Sequence, residues 1–430
     1  MIDQKYQYLN PSELSQLQAD LLRQSLEYAI KHSPFYRQRL KQSGVDIAAT
    51  NIFTELKKIP YTTKSELNEF NRDFFAATPK SIGEFVTTSG TLGSPVPVIL
   101  THNDLERLAY NEAMGLSIAG ISSRDIVLIT TTLDRRFMAG LAYYSGCRLL
   151  QAATIRTGIG LPALQWESVL NFKPTVLIGV PSFIVKMIRF AQLNNIHFQD
   201  TTVEKIVCIG EPLRNEDFTL NKTGQFIKDH WGLELFSTYA STEMATAFTE
   251  CRAGIGGHEI PELIYTEIID DEGKNVMDET PGELVFTTFG IEGIPLIRYR
   301  SGDIVSQFKS ACTCGRTTSR IGPVIGRLGQ QIKFKGTTLY PASFQHILDQ
   351  IMEVETYYIE VTSNEYNEDQ VKVIIASAEN EKILLEKLVE LFRSHLRVVP
   401  EIEFRPASFI NHIRNVPELR KPRIFIDNRL

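Results

Sequence analysis

The chain has 430 residues, of which 43% are hydrophobic and 22% are charged, and its formal net charge is −6. This length and composition are those of a globular protein with two or more domains. The negative charge and the lack of Lys/Arg runs argue against a nucleic-acid partner. The N-terminus has no apolar signal core and no apolar run reaches membrane-spanning length, so we expect a cytoplasmic protein without a membrane partner.

The first predicted element is a helix from Asn10-Pro11 to about His32, with a capping residue, a first-turn proline and leucines at helical spacing. From residue 84 onward, short β-rich runs alternate with helical segments. The predicted strands are 125–132, 148–153, 175–180, 205–210 and 234–239, and the predicted helices lie near 103–118, 162–171, 181–195 and 215–231. This alternation predicts an α/β fold with mostly parallel sheets and with ligands at the loops that end the strands.

The character of the chain changes after Gly282. Two further strands are predicted at 282–288 and 294–300, and a smaller unit follows Arg327. Its predicted elements are a helix near 341–352, strands at 357–362 and 370–377, a helix at 380–396 and a strand at 401–405. We therefore predict a large domain over residues 1–326 and a small α+β domain over residues 327–430.

One short segment, TTSGTLGSP at residues 87–95, is crowded with hydroxyls and glycines. It makes a poor core strand, but its hydroxyls and backbone N–H groups can surround an anion. It lacks the lysine of the ordinary phosphate loop. These residues alone leave two alternatives open, an exposed turn between two strands and a phosphate-binding loop.

Four more segments follow this one in a definite order. They are GEP at 210–212, YASTE at 239–243, GELVFTTFGIEGIPLIRYRSGD at 282–303 and GRLGQQIKFKG at 326–336. Together the five resemble the adenylate-forming superfamily of acyl-CoA synthetases, and most of all the phenylacetate–CoA ligases, over essentially the whole chain. The resemblance implies a large N-terminal domain and a small mobile C-terminal domain on a hinge. It also implies ATP-dependent activation of a carboxylic acid as an acyl-adenylate, followed by thioester formation with coenzyme A.

The resemblance assigns a nucleotide site. The matching residues are Thr88, Ser89, Gly90, Thr91 and Gly93 for the β- and γ-phosphates, and Gly210, Glu211, Pro212, Tyr239, Ala240 and Ser241 for the adenine side, with Ala240 where glycine is usual. Thr242 matches a contact to the α-phosphate and Glu243 matches the carboxylate that holds Mg²⁺. Asp303 matches the residue that binds the ribose hydroxyls, and Arg327 matches an arginine that reaches ribose or phosphate. The alternatives are an ordinary surface carboxylate at Glu243 and a turn-forming aspartate at Asp303.

Lys421 is the main catalytic candidate of the small domain. The tail RKPRIFIDNR resembles the family's closing segment, in which a lysine neutralises charge between the carboxylate and the α-phosphate. The alternative is a solvated C-terminal lysine, with Lys333 and Lys335 next in line for the catalytic role. The chain departs from the family pattern at Gly329-Gln330, where two aspartates are usual, and before Lys421, where Leu419-Arg420 replaces glycine. Both departures touch the rotation of the small domain between the two half-reactions.

The five cysteines fall into two groups. Cys147 and Cys208 lie in apolar, strand-like runs and are predicted to be inert core residues. Cys251, His258, Cys312 and Cys314 lie in polar, glycine-containing loops, and three thiols with one imidazole make a closed tetrahedral zinc set. Relatives of the phenylacetate–CoA ligases often carry cysteines at matching places, and some bind zinc there. The alternative is three reduced thiols and a loop histidine.

Substrate identity is predicted from aromatic residues. The segment 131–146 falls where the family builds its acyl pocket, and Phe137 matches a lining residue. Candidate further walls are Phe183, Phe236 and Tyr239, and an aromatic lining favours an aryl or arylacetic acid. The alternative is that these aromatic residues belong to the core. Three other functions stay open, namely transfer of an aryl acid to a carrier-protein phosphopantetheine, AMP transfer to a cofactor hydroxyl, and nucleotide binding without catalysis. A homodimer also stays open.

Overall fold

The structure is a computed structural model that describes residues 3–88, 96–335, 337–364, 368–377, 381–415 and 422–429. Contacts divide the chain into two compact units. The first comprises Met1–Ser301 and Val305–Pro323, and the second comprises Gly302–Ile304 and Val324–Leu430. The assignment of separate domains at residues 1–326 and 327–430 stays a prediction. Among the described residues, no helix combines the length and the apolar character needed to cross a membrane.

The first unit contains nine α-helices among its described residues. They are α1 (Pro11–His32), α2 (Pro34–Ser43), α3 (Ile52–Leu56), α4 (Lys64–Glu69), α5 (His102–Ile118), α6 (Met138–Leu150), α7 (Pro162–Phe172), α8 (Pro181–Leu193) and α9 (Lys222–Trp231). The first helix begins as predicted, because the side chains of Asn10 and Glu13 form a reciprocal capping box. Such a cap contributes about 1 kcal/mol to stability.

The strands begin with a hairpin and continue into a large sheet. They are β1 (Ile82–Thr87), β2 (Pro97–Thr101), β3 (Ile126–Ile129), β4 (Ala153–Arg156), β5 (Val176–Gly179), β6 (Lys205–Ile209), β7 (Glu234–Ser241), β8 (Thr246–Glu250), β9 (Gly257–His258), β10 (Ile264–Ile269), β11 (Gly282–Thr288), β12 (Tyr299–Val305), β13 (Gln307–Phe308) and β14 (Arg320–Ile321). Nine of them form one sheet in the order β13-β14-β9-β8-β7-β6-β5-β3-β4. Strands β4, β3, β5, β6 and β7 are mutually parallel, which confirms the predicted parallel α/β sheet.

Helices cover both faces of this sheet, because neighbouring residues along each strand enter different hydrophobic clusters. Leu128 and Ile206 pack with Trp166, Ile184 and Trp231 on one face. Their chain neighbours Val127 and Val207 pack with Tyr143 of α6 on the other face, in a cluster that also holds Ile129, Ile178 and Phe236. The carboxyl ends of the parallel strands are thereby presented at one rigid edge.

The second unit is the predicted α+β module. Its elements are β15 (Gly326–Arg327), β16 (Ile332–Phe334), β17 (Thr337–Leu339), α10 (Pro341–Leu348), β18 (Val354–Ser363), β19 (Asp369–Ser377), α11 (Glu381–Leu396), β20 (Glu401–Phe404), α12 (Ala407–Arg414) and β21 (Phe425–Asp427). The sheet order is β20-β19-β18-β21, with an antiparallel β18–β19 pair at its centre. Tyr357 and Ile359 pack with α10 and α11, whereas Tyr358 packs with Ile410 of α12 on the opposite face.

Three element predictions were wrong in part. The strand predicted at 148–153 is the end of α6 followed by β4 from Ala153, because a short apolar run has no periodicity that separates strand from helix. Cys147 therefore lies in a helix, although it is fully buried as expected. The helix predicted at 215–231 begins only at Lys222, after the side chain of Asn221 caps it. The strand predicted at 294–300 begins at Tyr299, since Leu296 is held by hydrogen bonds to the end of β11.

Candidate active site

Two sequence motifs meet at the carboxyl edge of the large sheet. Gly210–Pro212 follow β6, and Thr242–Glu243 follow β7. Because β6 and β7 are parallel, with Ile209 opposite Thr238, both loops follow the carboxyl ends of their strands, and β7 continues to Ser241, beyond the end of β6. Gly210 has φ +73°, a conformation that glycine adopts without strain.

The carboxylate of Glu211 is engaged with the neighbouring helix α8. It accepts hydrogen bonds from the backbone N–H of Ser182, at 3.0 Å, and from the hydroxyl of Ser182, at 2.8 Å. Glu211 thus ties the loop after β6 to the first turn of α8. Its predicted place beside adenine stays a prediction.

The segment YASTE forms the end of β7 and a tight reversal into β8. Ser241 lies opposite Thr246 in the antiparallel pair, so the chain turns over residues 242–245. The hydroxyl of Ser241 accepts a hydrogen bond from the N–H of Met244 at 3.2 Å, and Ala245 has φ +44°, which is uncommon for a residue other than glycine. Thr242 and Glu243 therefore project from the tip of a hairpin whose shape is fixed. The ring of Tyr239 stacks on Phe248, with 5.9 Å between centroids.

A buried arginine that the sequence did not single out holds this hairpin. Arg107, on α5, donates to the carbonyl oxygens of Ala245 (2.7 Å), Phe289 (2.7 Å) and Leu263 (2.6 Å), and to the hydroxyl of Thr246 (3.1 Å). Burial lowers the pKa of Arg107 to about 10, with opposing contributions from nearby carboxylates. The available signal was an arginine on the apolar face of a predicted helix, where a charged residue needs buried partners.

Glu243 lies near a second residue that the sequence did not single out. Its side chain is only 12% exposed, and its Oε1 lies 3.6 Å from Nζ of Lys64, the first residue of α4. A carboxylate oxygen is the kind of ligand that Mg²⁺ prefers, so the chemistry of Glu243 fits the predicted magnesium role.

The predicted phosphate loop is described only at its first residue. Thr88 is buried, and its hydroxyl accepts a hydrogen bond from the N–H of Val96 while its own N–H donates to the carbonyl of Val96, both at 3.0 Å. Ser89, Gly90, Thr91 and Gly93 lie outside the described residues. The flanking segments do form the antiparallel pair β1–β2, as one of the two alternatives required. Phosphate binding stays a prediction.

Asp303 and Arg327, the predicted ribose residues, are brought together. They face each other in the antiparallel β12–β15 pair, and Nε of Arg327 lies 2.6 Å from Oδ1 of Asp303. Gly326 packs against the ring of Tyr340 so closely that no side chain fits there.

The predicted catalytic lysine, Lys421, lies outside the described residues. Of the two other lysines considered for the catalytic role, Lys335 donates a hydrogen bond from its ammonium to the carbonyl of Val399 at 3.2 Å.

Known proteins resemble this chain in sequence and in fold. The sequence model of the family described as AMP-binding enzyme matches residues 32–291. The chain belongs to the AMP-binding enzyme family. It is 26% identical over 402 residues to the phenylacetate-coenzyme A ligase of Thermus thermophilus, which covers 91% of this chain and 88% of that protein. It is 27% identical over 350 residues to the phenylacetate-coenzyme A ligase of Pseudomonas putida, which covers 80% and 77%.

Solved structures show the same fold. A 2-hydroxyisobutyryl-CoA ligase in the postadenylation state matches with a TM-score of 0.85 at 20% identity, covering 99% of this chain and 91% of that one. A benzoate CoA ligase from Burkholderia xenovorans LB400 matches with a TM-score of 0.58 at 18% identity, covering 81% and 68%. The predictions of an adenylate-forming fold and of an AMP-forming ligase similar to phenylacetate–CoA ligases are thereby confirmed.

The aromatic residues predicted for the acyl pocket of this AMP-binding enzyme lie on or beside different elements of the large unit. Phe137 precedes α6 as its N-cap residue. Phe236, on β7, is 2% exposed and belongs to the cluster on the α6 face of the sheet. Phe183, on α8, packs against the cluster on the opposite face. Phe183 and Phe236 thus lie on opposite faces of the sheet, and the lining roles of Phe137, Phe183 and Phe236 stay predictions.

The cysteine and histidine candidates converge at the antiparallel end of the large sheet. Cys251 directly follows β8, His258 lies on β9, and Cys312 and Cys314 lie in the loop from β13 to β14. Because β9 pairs with both β8 and β14, the two loops meet, and the four ligand atoms all lie within 4.8 Å of one another.

The distances in this cluster match a tetrahedral zinc site. Sγ of Cys251 lies 3.6 Å from Sγ of Cys312, and Sγ of Cys314 lies 3.4 Å from Nε2 of His258. Ordinary zinc bond lengths imply about 3.8 Å between two sulfurs and about 3.6 Å between sulfur and nitrogen. A disulfide would place the sulfurs about 2 Å apart. Burial, reinforced by two nearby arginines, lowers the pKa of His258 to about 3, so the imidazole is neutral, as a ligand must be.

Outer contacts fix the orientation of the histidine. Nδ1 of His258 lies 3.1 Å from the hydroxyl of Thr318, which itself lies 3.2 Å from Oε1 of Gln7. With Nδ1–H donating to Thr318 and Thr318 donating to Gln7, Nε2 faces the sulfurs. This is the arrangement in which a histidine commonly serves a metal.

Proposed function

We propose that this enzyme activates an aromatic carboxylic acid of the phenylacetate type with ATP and transfers the acyl group to coenzyme A. In the first step a carboxylate oxygen bonds to the α-phosphorus of ATP, and the bond to the β-phosphate oxygen breaks with its electron pair leaving on pyrophosphate. In the second step the thiol sulfur bonds to the acyl carbon, AMP leaves, and the thiol proton is released. The observation that carries this proposal is the hairpin that holds Thr242 and Glu243 at the same edge of the sheet as Gly210–Pro212, in a chain of the AMP-binding enzyme family.

The first step joins two anions, so neutralising charge and holding the reactants in place carry most of its catalysis. We assign Thr242 to the α-phosphate, Glu243 to Mg²⁺, and the Asp303–Arg327 pair to the ribose. A bound Mg²⁺ would neutralise phosphate charge. Tyr239 offers a half-buried ring at the same sheet edge, which suits stacking against adenine.

The acyl substrate and the acceptor are inferred from relatives. Phenylacetate-coenzyme A ligases match most of the chain at 26–27% identity, which supports an arylacetic acid and coenzyme A. The rival acceptors are a carrier-protein phosphopantetheine and a cofactor hydroxyl, and Lys421 is the proposed catalytic lysine of the first step.

The test is ATP–pyrophosphate exchange across a panel of carboxylic acids. We expect phenylacetate and benzoate to support exchange better than acetate or a long-chain fatty acid. Product analysis after adding coenzyme A, a phosphopantetheinylated carrier protein or neither identifies the acceptor. A clear preference for acetate would contradict the aromatic substrate, and no exchange with any acid would contradict adenylation itself.

We also propose that Cys251, His258, Cys312 and Cys314 hold a structural zinc ion. The convergence of three sulfurs and one neutral imidazole at zinc-like distances supports this. Four protein ligands leave no open position for a substrate, so the ion would join two loops rather than act in the reaction.

Metal analysis tests the zinc site: purified protein should contain about one zinc per chain. Cys312→Ser should lose the zinc and melt at a lower temperature, whereas Cys147→Ala should retain it; metal-free wild-type protein grown with zinc would refute the site.

A further inference from the structure

The pair formed by Lys64 and Glu243 joins two segments that are fixed independently of each other. The segment that precedes Lys64 and α4 is hydrogen-bonded to the segment that leads into β12. The N–H of Thr62 donates to the carbonyl of Arg298, and the carbonyl of Thr62 accepts from the N–H of Arg300, both at 2.9 Å. The hydroxyl of Thr62 donates to the carbonyl of Ile297 at 2.8 Å. The backbone that carries Lys64 is therefore anchored in the core.

The start of α4 is fixed as well. Thr63 and Glu66 form a reciprocal capping box, and Glu66 also pairs with Arg39 of α2. The capping box fixes the backbone at the first position of the helix, and with it the direction of the Cα–Cβ bond of the residue there. The base of the Lys64 side chain thus has little freedom.

The carboxylate side is fixed by the β7–β8 hairpin. Arg107 bonds the carbonyl of Ala245, and Ser241 bonds the N–H of Met244, so the turn that carries Glu243 is held from both sides. Both segments are thus anchored in the large unit, and across them the ammonium of Lys64 lies 3.6 Å from Oε1 of Glu243.

Stability gives little reason for this pair. Lys64 is 39% exposed, and half-exposed ion pairs contribute about 0–1 kcal/mol. Among the described residues, Lys64 is the basic residue that forms an ion pair with Glu243. Once a divalent cation binds the carboxylate of Glu243, like charges repel, and the ammonium needs another anion within reach. In a site for ATP that anion is phosphate oxygen.

We propose that Lys64 binds the β- and γ-phosphates of ATP, and the leaving pyrophosphate, from the large unit of the enzyme. This inference rests on the proposed function. As the bond between the α-phosphorus and the bridging oxygen breaks, its electron pair passes to pyrophosphate, and the ammonium of Lys64 neutralises the growing charge. The ammonium keeps its three protons throughout, so Lys64 acts as an electrostatic group and not as an acid or base.

The experiment compares Lys64→Ala and Lys64→Arg with the control Lys58→Ala. Lys58 lies six residues away, is similarly exposed and pairs with Glu55. In ATP–pyrophosphate exchange, Lys64→Ala should raise KM for pyrophosphate and for Mg·ATP by about tenfold or more, as expected for loss of a charged hydrogen bond. Lys64→Arg should recover much of the loss, and Lys58→Ala should match the wild type. Thioester formation from a preformed acyl-adenylate should be unchanged in all three variants, because pyrophosphate has already left.

The outcomes separate this inference from the function beneath it. If the wild type shows no exchange, the proposed function fails before Lys64 is tested. If the wild type is active and Lys64→Ala keeps a normal KM for pyrophosphate, the inference is overturned. It is also overturned if Lys64→Ala lowers only kcat and weakens Mg²⁺ dependence, since that pattern means the lysine merely orients Glu243. A melting temperature equal to that of the wild type confirms that the variants are folded.

Discussion

Replacing Arg107 tests how the fold holds the catalytic hairpin. The guanidinium bonds four acceptors, three of them backbone carbonyls. Each buried acceptor left without a partner costs about 1–3 kcal/mol, and some regain water in the space left by the side chain. Arg107→Met should therefore lose about 3–5 kcal/mol of stability. Arg107→Lys keeps the charge but reaches fewer acceptors, so it should lose about 2–3 kcal/mol.

The assay combines melting curves with exchange kinetics. We expect Arg107→Met to melt roughly 5–10 °C below the wild type. We also expect its folded fraction to exchange ATP and pyrophosphate with a reduced kcat, because Ala245 is no longer held at φ +44° and Glu243 loses its orientation. Arg107→Lys should be intermediate in both measurements. Wild-type stability and kcat in Arg107→Met would refute the role of this arginine.

Two further predictions concern pH and the small unit. Burial raises the pKa of the Glu112 carboxyl to about 8, whereas the unfolded chain releases this proton above pH about 4.5. The folded state therefore loses stability as pH rises between these two values. Glu112→Gln should flatten the pH dependence of the urea midpoint between pH 5 and 8, and an unchanged slope would exclude Glu112 as its source. Lys421→Ala should nearly abolish exchange, whereas a preformed acyl-adenylate should still yield thioester. Gly329→Pro should show the reverse pattern, because proline fixes φ at the proposed hinge. Equal loss of both half-reactions in both variants would contradict the proposal that the small unit has one state for each half-reaction.

The sequence predicts the fold where local patterns are strong. Apolar runs separated by helices indicate the parallel strands, and Asn10-Pro11 marks a helix start that the capping box confirms. The helix α6 was missed because it contains glycines, such as Gly140 and Gly146, which are poor helix formers. These glycines allow close packing, since a side chain at Gly146 would clash with Glu112 of α5. That reason exists only in the folded molecule.

The candidate site divides in the same way. Glu243 stands in a motif that is readable along the chain, so its place could be predicted. Arg107 bonds partners 138 to 182 residues away, and Lys64 meets Glu243 across a similar separation, so no local pattern identifies either residue. The zinc candidates could be chosen by residue type, but their convergence depends on the pairing of β9 with both neighbours.

The most direct test of the central claim is ATP–pyrophosphate exchange with phenylacetate, measured for the wild type, for Glu243→Gln and for the exposed control Glu216→Gln. Adenylation at the β7–β8 hairpin predicts Mg²⁺-dependent exchange in the wild type and in Glu216→Gln. It predicts a loss of at least ~100-fold in Glu243→Gln, as expected when a group that stabilises charge in the transition state is removed. Normal exchange in Glu243→Gln would contradict the account.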